Sequence, residues 1–152
     1  MRLWRTCRRA HAAGAFSGEG ARLYGGRWNS PGVKMVYTST SLALAAVETF
    51  VNLEPNLQPD DLVSIACDLP GDIATERVAL KSLPADWHAA SYEPLRAMGD
   101  RWIRSGSTVA LYVPSAAIRS EWNVLLNPAH PEFGRLKLHR ARHFEFDLRM
   151  FR

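Results

Sequence analysis

Gly25-Gly26-Arg27-Trp28-Asn29-Ser30-Pro31-Gly32 runs almost directly into Val36-Tyr37-Thr38-Ser39, and then into Leu42-Ala43-Leu44-Ala45-Ala46-Val47-Glu48. The order is a glycine-flexed turn, a strand and a helix. Val36 and Tyr37 supply β propensity, so residues 34–39 are expected as a strand. Ser39 or Thr40 is placed to cap the following helix, expected over residues 42–53, where Leu44, Val47 and Val51 recur at helical spacing. Pro55 and Pro59 end it.

Outward from this run, residues 3–6 read as a short strand, and residues 7–26 as a long loop rich in Gly, Ala and Arg with no clear periodicity. On the other side, residues 62–69 alternate as a strand that Pro70-Gly71 closes. Residues 72–92 have no clear pattern. Pro94 suits the first turn of a helix reaching Ser105, with Gly106 as its stop. Residues 108–113 are β-branched and aromatic, a strand ended by Pro114. Residues 118–134 read as an irregular loop with one helical turn, and 135–139 and 144–148 as terminal strands paired with each other. The expectation is one domain over 1–152, of α/β (α+β) class, with a small mixed or antiparallel sheet. The regular alternation of a doubly wound parallel sheet is missing.

Bulk properties narrow the classes. At 152 residues, with 47% hydrophobic and 22% charged, the chain can bury a real core and has an ordinary soluble composition. No apolar run approaches the roughly 18 residues of a membrane span, and the basic start has no apolar signal core after it. Cys7 and Cys67 are too few for a disulfide framework or a zinc site and suit a reducing cytosol. His11, His88, His130, His139 and His143 lack the spacing of a helical metal pair, so no metal is expected. Gly18-Glu19-Gly20 fails as a dinucleotide fingerprint because Leu23 stands where the third glycine belongs. A net charge of +4 is compatible with an anionic metabolite, nucleic acid or an acidic partner.

Four side chains stand out. Arg27, between glycines and Trp28-Asn29, suits a bidentate grip on phosphate, or else a turn paired with a surface carboxylate. Tyr37 is either core or a ring to stack on a flat heterocycle. Glu48 lies among small and apolar neighbours, so its carboxylate needs partners: an arginine in a structural pair, or a ligand. Ser115 follows a strand end without the Gly-x-Ser-x-Gly elbow of a nucleophile. It is better read as binding a ligand or orienting Glu48.

Together these segments resemble the RES-domain family of bacterial toxins. The resemblance rests on Ser17-Gly18-Glu19-Gly20-Ala21, Gly25-Gly26-Arg27-Trp28-Asn29, Val36-Tyr37-Thr38-Ser39, Leu44-Ala45-Ala46-Val47-Glu48 and Val113-Pro114-Ser115. It continues through Asn123-Val124-Leu125-Leu126-Asn127-Pro128-Ala129-His130-Pro131 to a Phe146-Asp147-Leu148-Arg149 close. It implies a fold like that of ADP-ribosyltransferases, with NAD as substrate in a cleft between two sheets. It implies Arg27, Tyr37, Glu48 and Ser115 as site residues, and Arg5 as a further contact to NAD. The implied activity is cleavage of the nicotinamide glycosidic bond, depleting NAD by hydrolysis or phosphorolysis so that growth stops. Transfer of ADP-ribose to a cellular protein is the alternative. The implied partners are an Xre-type helix-turn-helix antitoxin, through which alone DNA is met, and a second toxin chain within the antitoxin complex; the implied location is the cytoplasm. A basic nucleic-acid or partner-binding module is the non-enzymatic alternative, although no aromatic run interleaves the arginines.

Overall fold

The structure, a computed structural model, describes residues 1–89 and 92–152. It contains eight strands, three α-helices and short 3-10 turns among the described residues. The strands are β1 (Arg2–Arg8), β2 (Val36–Ser39), β3 (Leu62–Asp68), β4 (Thr75–Arg77), β5 (Ala110–Pro114), β6 (Trp122–Leu126), β7 (Lys137–Leu138) and β8 (Arg142–Phe144). The helices are α1 (Glu19–Tyr24), α2 (Leu42–Val51) and α3 (Glu93–Ser105). The sheet order is β4-β5-β6-β2-β1-β3-β7, with β8 also on β3. Among the described residues only β4 and β5 pair in parallel. The fold is therefore the expected mixed α/β class with a mostly antiparallel sheet.

The two expected sheets are instead one ladder, but its continuity is slight. β1 meets β2 at a single register pair, Trp4↔Ser39. By contrast, β1 pairs with β3 along its whole length. The strands part beyond that pair, and side chains of both line a cleft there.

Period-two alternation divides the core between the two faces. On β6, Val124 and Leu126 join Leu3, Val36, Ile65 and Phe16 on one face, while Leu125 joins Leu111, Val113 and Met35 on the other. The second face is covered by α3 through Leu95 and Trp102. This helix matches its expected limits: Pro94 stands in the first turn and Gly106 ends it in the left-handed conformation.

Several expectations are corrected. The N-cap of α2 is Ser41, whose Oγ accepts from Leu44 N at 3.1 Å. Ser39 and Thr40 instead donate across to Asn123 Oδ1 and the Trp122 carbonyl. The long loop at 7–26 contains α1. With six residues, a glycine inside it and Gly18 at its start offering no capping side chain, α1 has little local signal. It is held from outside, by Asn29 Nδ2 on the Ala21 carbonyl and by the Arg22 carbonyl accepting from Gly32 N. The irregular loop at 118–134 contains β6, a central strand between β5 and β2. Being covered on both faces, Val124-Leu125-Leu126 has no apolar–polar alternation to betray it. The terminal strands do not pair with each other. Each pairs with β3, Leu138 opposite Cys67 and Phe144 opposite Leu62, while 145–148 turn away toward a 3-10 turn at Leu148–Phe151. Within 72–92, β4 adds a short edge strand; Ala90 and Ser91 lie outside the described residues.

Candidate active site

Glu48 stands in the last turn of the alanine-rich helix α2, which lies against β1. Thr6 Oγ1 donates to the Ala45 carbonyl at 3.2 Å and also bonds the Thr49 hydroxyl, tying the helix to that strand. From this position the Glu48 carboxylate reaches the ends of two other strands. Its Oε1 accepts from Ser115 Oγ at 2.6 Å and from Asn123 Nδ2 at 2.7 Å. Ser115 lies just past β5 and is fully buried; its Oγ in turn accepts from the backbone of Ala117 and Ile118 at 3.1 and 3.0 Å. Asn123 is fixed from its other side by Ser39 Oγ, 2.7 Å from Oδ1. Hydrogen bonds to a carboxylate are among the strong ones. Here they all fall on one oxygen, leaving Oε2 without a partner among the described residues.

Ser115 is thereby brought to Glu48 as a positioning group, while Asn123 was not singled out from the sequence. Its signal was present, since it opens the Asn-Val-Leu-Leu-Asn-Pro run. Without the β6–β2 register that sets it opposite Ser39, nothing marked its side chain.

Arg27, Tyr37 and Arg5 line the same cleft of about 1250 Å³. Tyr37 Oη donates to Asn29 Oδ1 at 2.6 Å and accepts from Trp28 N at 3.0 Å. Burial pushes the phenol above its ordinary range, so it stays protonated and donates. The hydroxyl is committed to the loop, and Tyr37 lines the cleft beside it. Gly26 has to be glycine here: a Cβ would stand 2.5 Å from Tyr37 Oη and 3.0 Å from Asn29 Oδ1. Asn29 is completely buried, its Nδ2 donating to the Ala21, Ser30 and Val33 carbonyls at 2.8, 3.2 and 3.0 Å.

The loop that presents Arg27 is also gripped by α3. Arg96 Nε donates to the Gly26 carbonyl at 2.7 Å. Asp100, buried, accepts from Ser30 N at 3.0 Å and Ser30 Oγ at 2.6 Å. Between them, Gly99 lets the Trp28 backbone rest directly on the helix. Arg96, Gly99 and Asp100 share one helix face, and none was singled out from the sequence.

Of the cleft's guanidiniums, Arg8 is paired with Asp61, and the others are short of anions. Arg27 lies over the Tyr92 ring at 4.4 Å and makes long contacts, at 3.4 Å to the Trp87 and His88 carbonyls and 3.5 Å to the Tyr92 hydroxyl. Arg5 donates from Nη1 to the Tyr37 carbonyl at 3.0 Å, but its Nε is shielded from solvent with no partner. Burial holds the Arg5 guanidinium below its usual range. An arginine does not give up its proton in a protein, so the Arg5 guanidinium stays a cation on the cleft wall. Among the described residues neither Arg5, Arg27 nor Arg96 forms an ion pair with a carboxylate. Cys7 also lines the cleft, and burial raises its thiol, which disfavours a thiolate nucleophile. No cluster of three His, Cys, Asp or Glu that could hold a metal is found among the described residues. Nor is any described helix long and apolar enough to cross a membrane.

Comparison with known proteins adds lineage to this geometry. The RES domain family profile matches residues 2–149. A protein of Sphingobium sp. (strain YBL2) named "Prs ADP-ribosylating toxin" is 37% identical over 155 residues, covering 99% of this chain and 96% of its own. A "Toxin Res" of Photorhabdus laumondii subsp. laumondii is 34% identical, covering 88% of this chain and 85% of its own. In fold, a chain from the crystal structure of the M. tuberculosis MbcT-MbcA toxin-antitoxin complex superposes with a TM-score of 0.75. That match is 18% identical in sequence and covers 95% of this chain and 84% of that one.

Proposed function

Since the chain belongs to the RES-domain family, we propose that it is an NAD-consuming toxin enzyme that breaks the bond between nicotinamide and ribose. The observation that carries this reading is Glu48, held through one oxygen by Ser115 and Asn123 in a cleft where Arg5, Arg27 and Arg96 have no carboxylate partner among the described residues. Arg27, with Arg5 behind it, would bind the pyrophosphate by charge-assisted hydrogen bonds. The Tyr37 ring would stack on the nicotinamide. When the C–N bond breaks, its electron pair leaves with the ring nitrogen, which becomes neutral, so no general acid is needed. The ribose becomes oxocarbenium-like, as in glycoside hydrolysis. Glu48, through its unpartnered oxygen, would hydrogen-bond a ribose hydroxyl and stabilise the growing positive charge. Ser115 and Asn123 keep that carboxylate from reorganising. An acceptor then gives an electron pair to the ribose carbon and loses a proton to solvent.

Water or phosphate as acceptor gives NAD depletion. The Sphingobium relative, matched over nearly the whole chain and named for ADP-ribosylating Prs, favours a second reading in which a protein is the acceptor. The fold shared with a chain of a toxin-antitoxin complex supports a cognate antitoxin, which in this proposal is of the Xre helix-turn-helix type and holds a pair of toxin chains in the cytoplasm. Incubating purified protein with NAD, alone, with phosphate and with cell extract, tests the proposal. Release of free nicotinamide is expected, and chromatography of the remaining moiety distinguishes hydrolysis, phosphorolysis and transfer to protein. Intact NAD in all three mixtures would overturn it.

Arg27→Ala is expected to weaken NAD binding by roughly tenfold or more, since a hydrogen bond to a charged group contributes about 1.5–3 kcal/mol. Calorimetric titration measures this, and unchanged affinity removes Arg27 from the pyrophosphate.

A further inference from the structure

A second concavity lies beside the cleft, on the outer side of α3. It is a groove of about 880 Å³ lined by three arginines, Arg96, Arg101 and Arg104, and two acids, Glu93 and Asp100, beside Ser30, Tyr92 and Ala97. Along the helix, Ala97, Arg101 and Arg104 recur at helical spacing, and all three are exposed. One wall of the groove therefore carries two exposed arginines, Arg101 and Arg104, toward the C-terminal end of α3, while Glu93 stands at the helix's N-terminal end. Asp100, the carboxylate nearest in sequence to these arginines, is spent on Ser30. Surface arginines elsewhere have found acids: Arg2 pairs with Asp68, Arg8 with Asp61 and Arg135 with Asp72. Arg101 and Arg104 have no such pair among the described residues. Two like charges three residues apart on a helix repel, and an anionic partner relieves that.

The position of the groove matters as much as its charge. Tyr92 and Arg96 line both the groove and the Glu48 cleft, so the two concavities adjoin. Within the cleft, Arg5 and Arg27 already face the NAD-sized space; Arg101 and Arg104 line only the groove.

We infer that this groove docks an acidic segment of the protein that accepts ADP-ribose, holding that protein at the mouth of the cleft. The inference rests on the protein-acceptor reading above. Single-stranded nucleic acid is the less fitting occupant. It requires a run of stacking aromatics along a basic track, whereas the groove has one aromatic, Tyr92, already stacked with Arg27. Exposed charges such as these act mainly on encounter and orientation, so they affect recognition of the second substrate and leave the chemistry at Glu48 alone.

The test compares the full chain with its Arg101→Glu/Arg104→Glu variant. Nicotinamide release from NAD without any protein acceptor is expected to be unchanged, which also certifies folding. With labelled NAD and Prs as acceptor, kcat/KM for Prs is expected to fall by about tenfold or more, through KM. Fluorescein-labelled decaglutamate is expected to bind the wild type at low salt and not the variant, while Arg101→Lys/Arg104→Lys retains binding. Should charge reversal disturb folding, Arg101→Ala/Arg104→Ala carries the same comparison. Unchanged Prs labelling and decaglutamate binding in a variant that still cleaves NAD overturns the inference and leaves the transferase reading standing. A wild type that cleaves NAD yet labels neither Prs nor any protein of a cell extract overturns the protein-acceptor reading, and the docking role with it. Tighter binding of a short oligonucleotide than of decaglutamate at equal salt assigns the groove to nucleic acid and overturns the inference as well.

Discussion

Glu48→Gln lowers the rate of nicotinamide release from NAD by about 10²–10³ while leaving KM for NAD and thermal stability nearly unchanged. Glutamine has the same shape, and its amide oxygen can still accept from Ser115 Oγ and Asn123 Nδ2, which bond Oε1 of the glutamate at 2.6 and 2.7 Å. What disappears is the negative charge that, in the proposed mechanism, stabilises the developing oxocarbenium ion. An interaction made mainly in the transition state affects turnover and spares binding. Steady-state kinetics of nicotinamide release, with a melting curve as control, reads all three quantities. A variant with wild-type kcat removes Glu48 from the chemistry. A loss confined to KM makes it a binding residue only.

Gly99→Ala unseats the Arg27 loop. A Cβ on Gly99 would stand 1.7 Å from the Trp28 carbonyl oxygen and 2.8 Å from its carbon, and both are backbone atoms. No side chain can rotate out of the way, so helix and loop must separate. Separation stretches the Arg96 bond to Gly26 and the Asp100 bonds to Ser30, leaving a buried carboxylate short of donors. Overpacking and lost polar contacts together cost about 3 kcal/mol, roughly a 10 °C fall in melting temperature for a chain of this size. NAD affinity is expected to fall with it, because Arg27 is displaced. Gly71→Ala is the control, since a Cβ there meets nothing within 4 Å. Equal melting temperatures for the two variants would show that α3 does not fix the loop.

These two variants touch the site from opposite directions, and they differ in how visible they were in the sequence. Glu48 is conspicuous as a lone carboxylate in an alanine-rich helix. Gly99 is not. Inside Leu95-Arg96-Ala97-Met98-Gly99-Asp100 it looks like a helix blemish, and only the backbone of a loop about 70 residues earlier explains it. Arg96 and Asp100 were unmarked for the same reason. The turn containing Arg27 was legible as glycine-flexed, but Asn29, whose side chain organises that turn, looked like any turn asparagine until its four partners were seen.

The sequence by itself determined the strand-turn-helix run from Val36 to Glu48, the limits of α3, the mixed fold class and the order of family segments. These are local properties: period, capping, glycine and proline act over a few neighbouring residues, so the chain carries them openly. The tertiary structure decided what the carboxylate faces. Glu48 meets Ser115 across 67 positions and Asn123 across 75. It does so because β6, unmarked by alternation since both its faces are buried, slots between β5 and β2. It also decided that the cleft opens where β1 and β2 share one pair, at Trp4 and Ser39. Strand order and register arise from packing the whole core at once, and no short stretch of sequence encodes them.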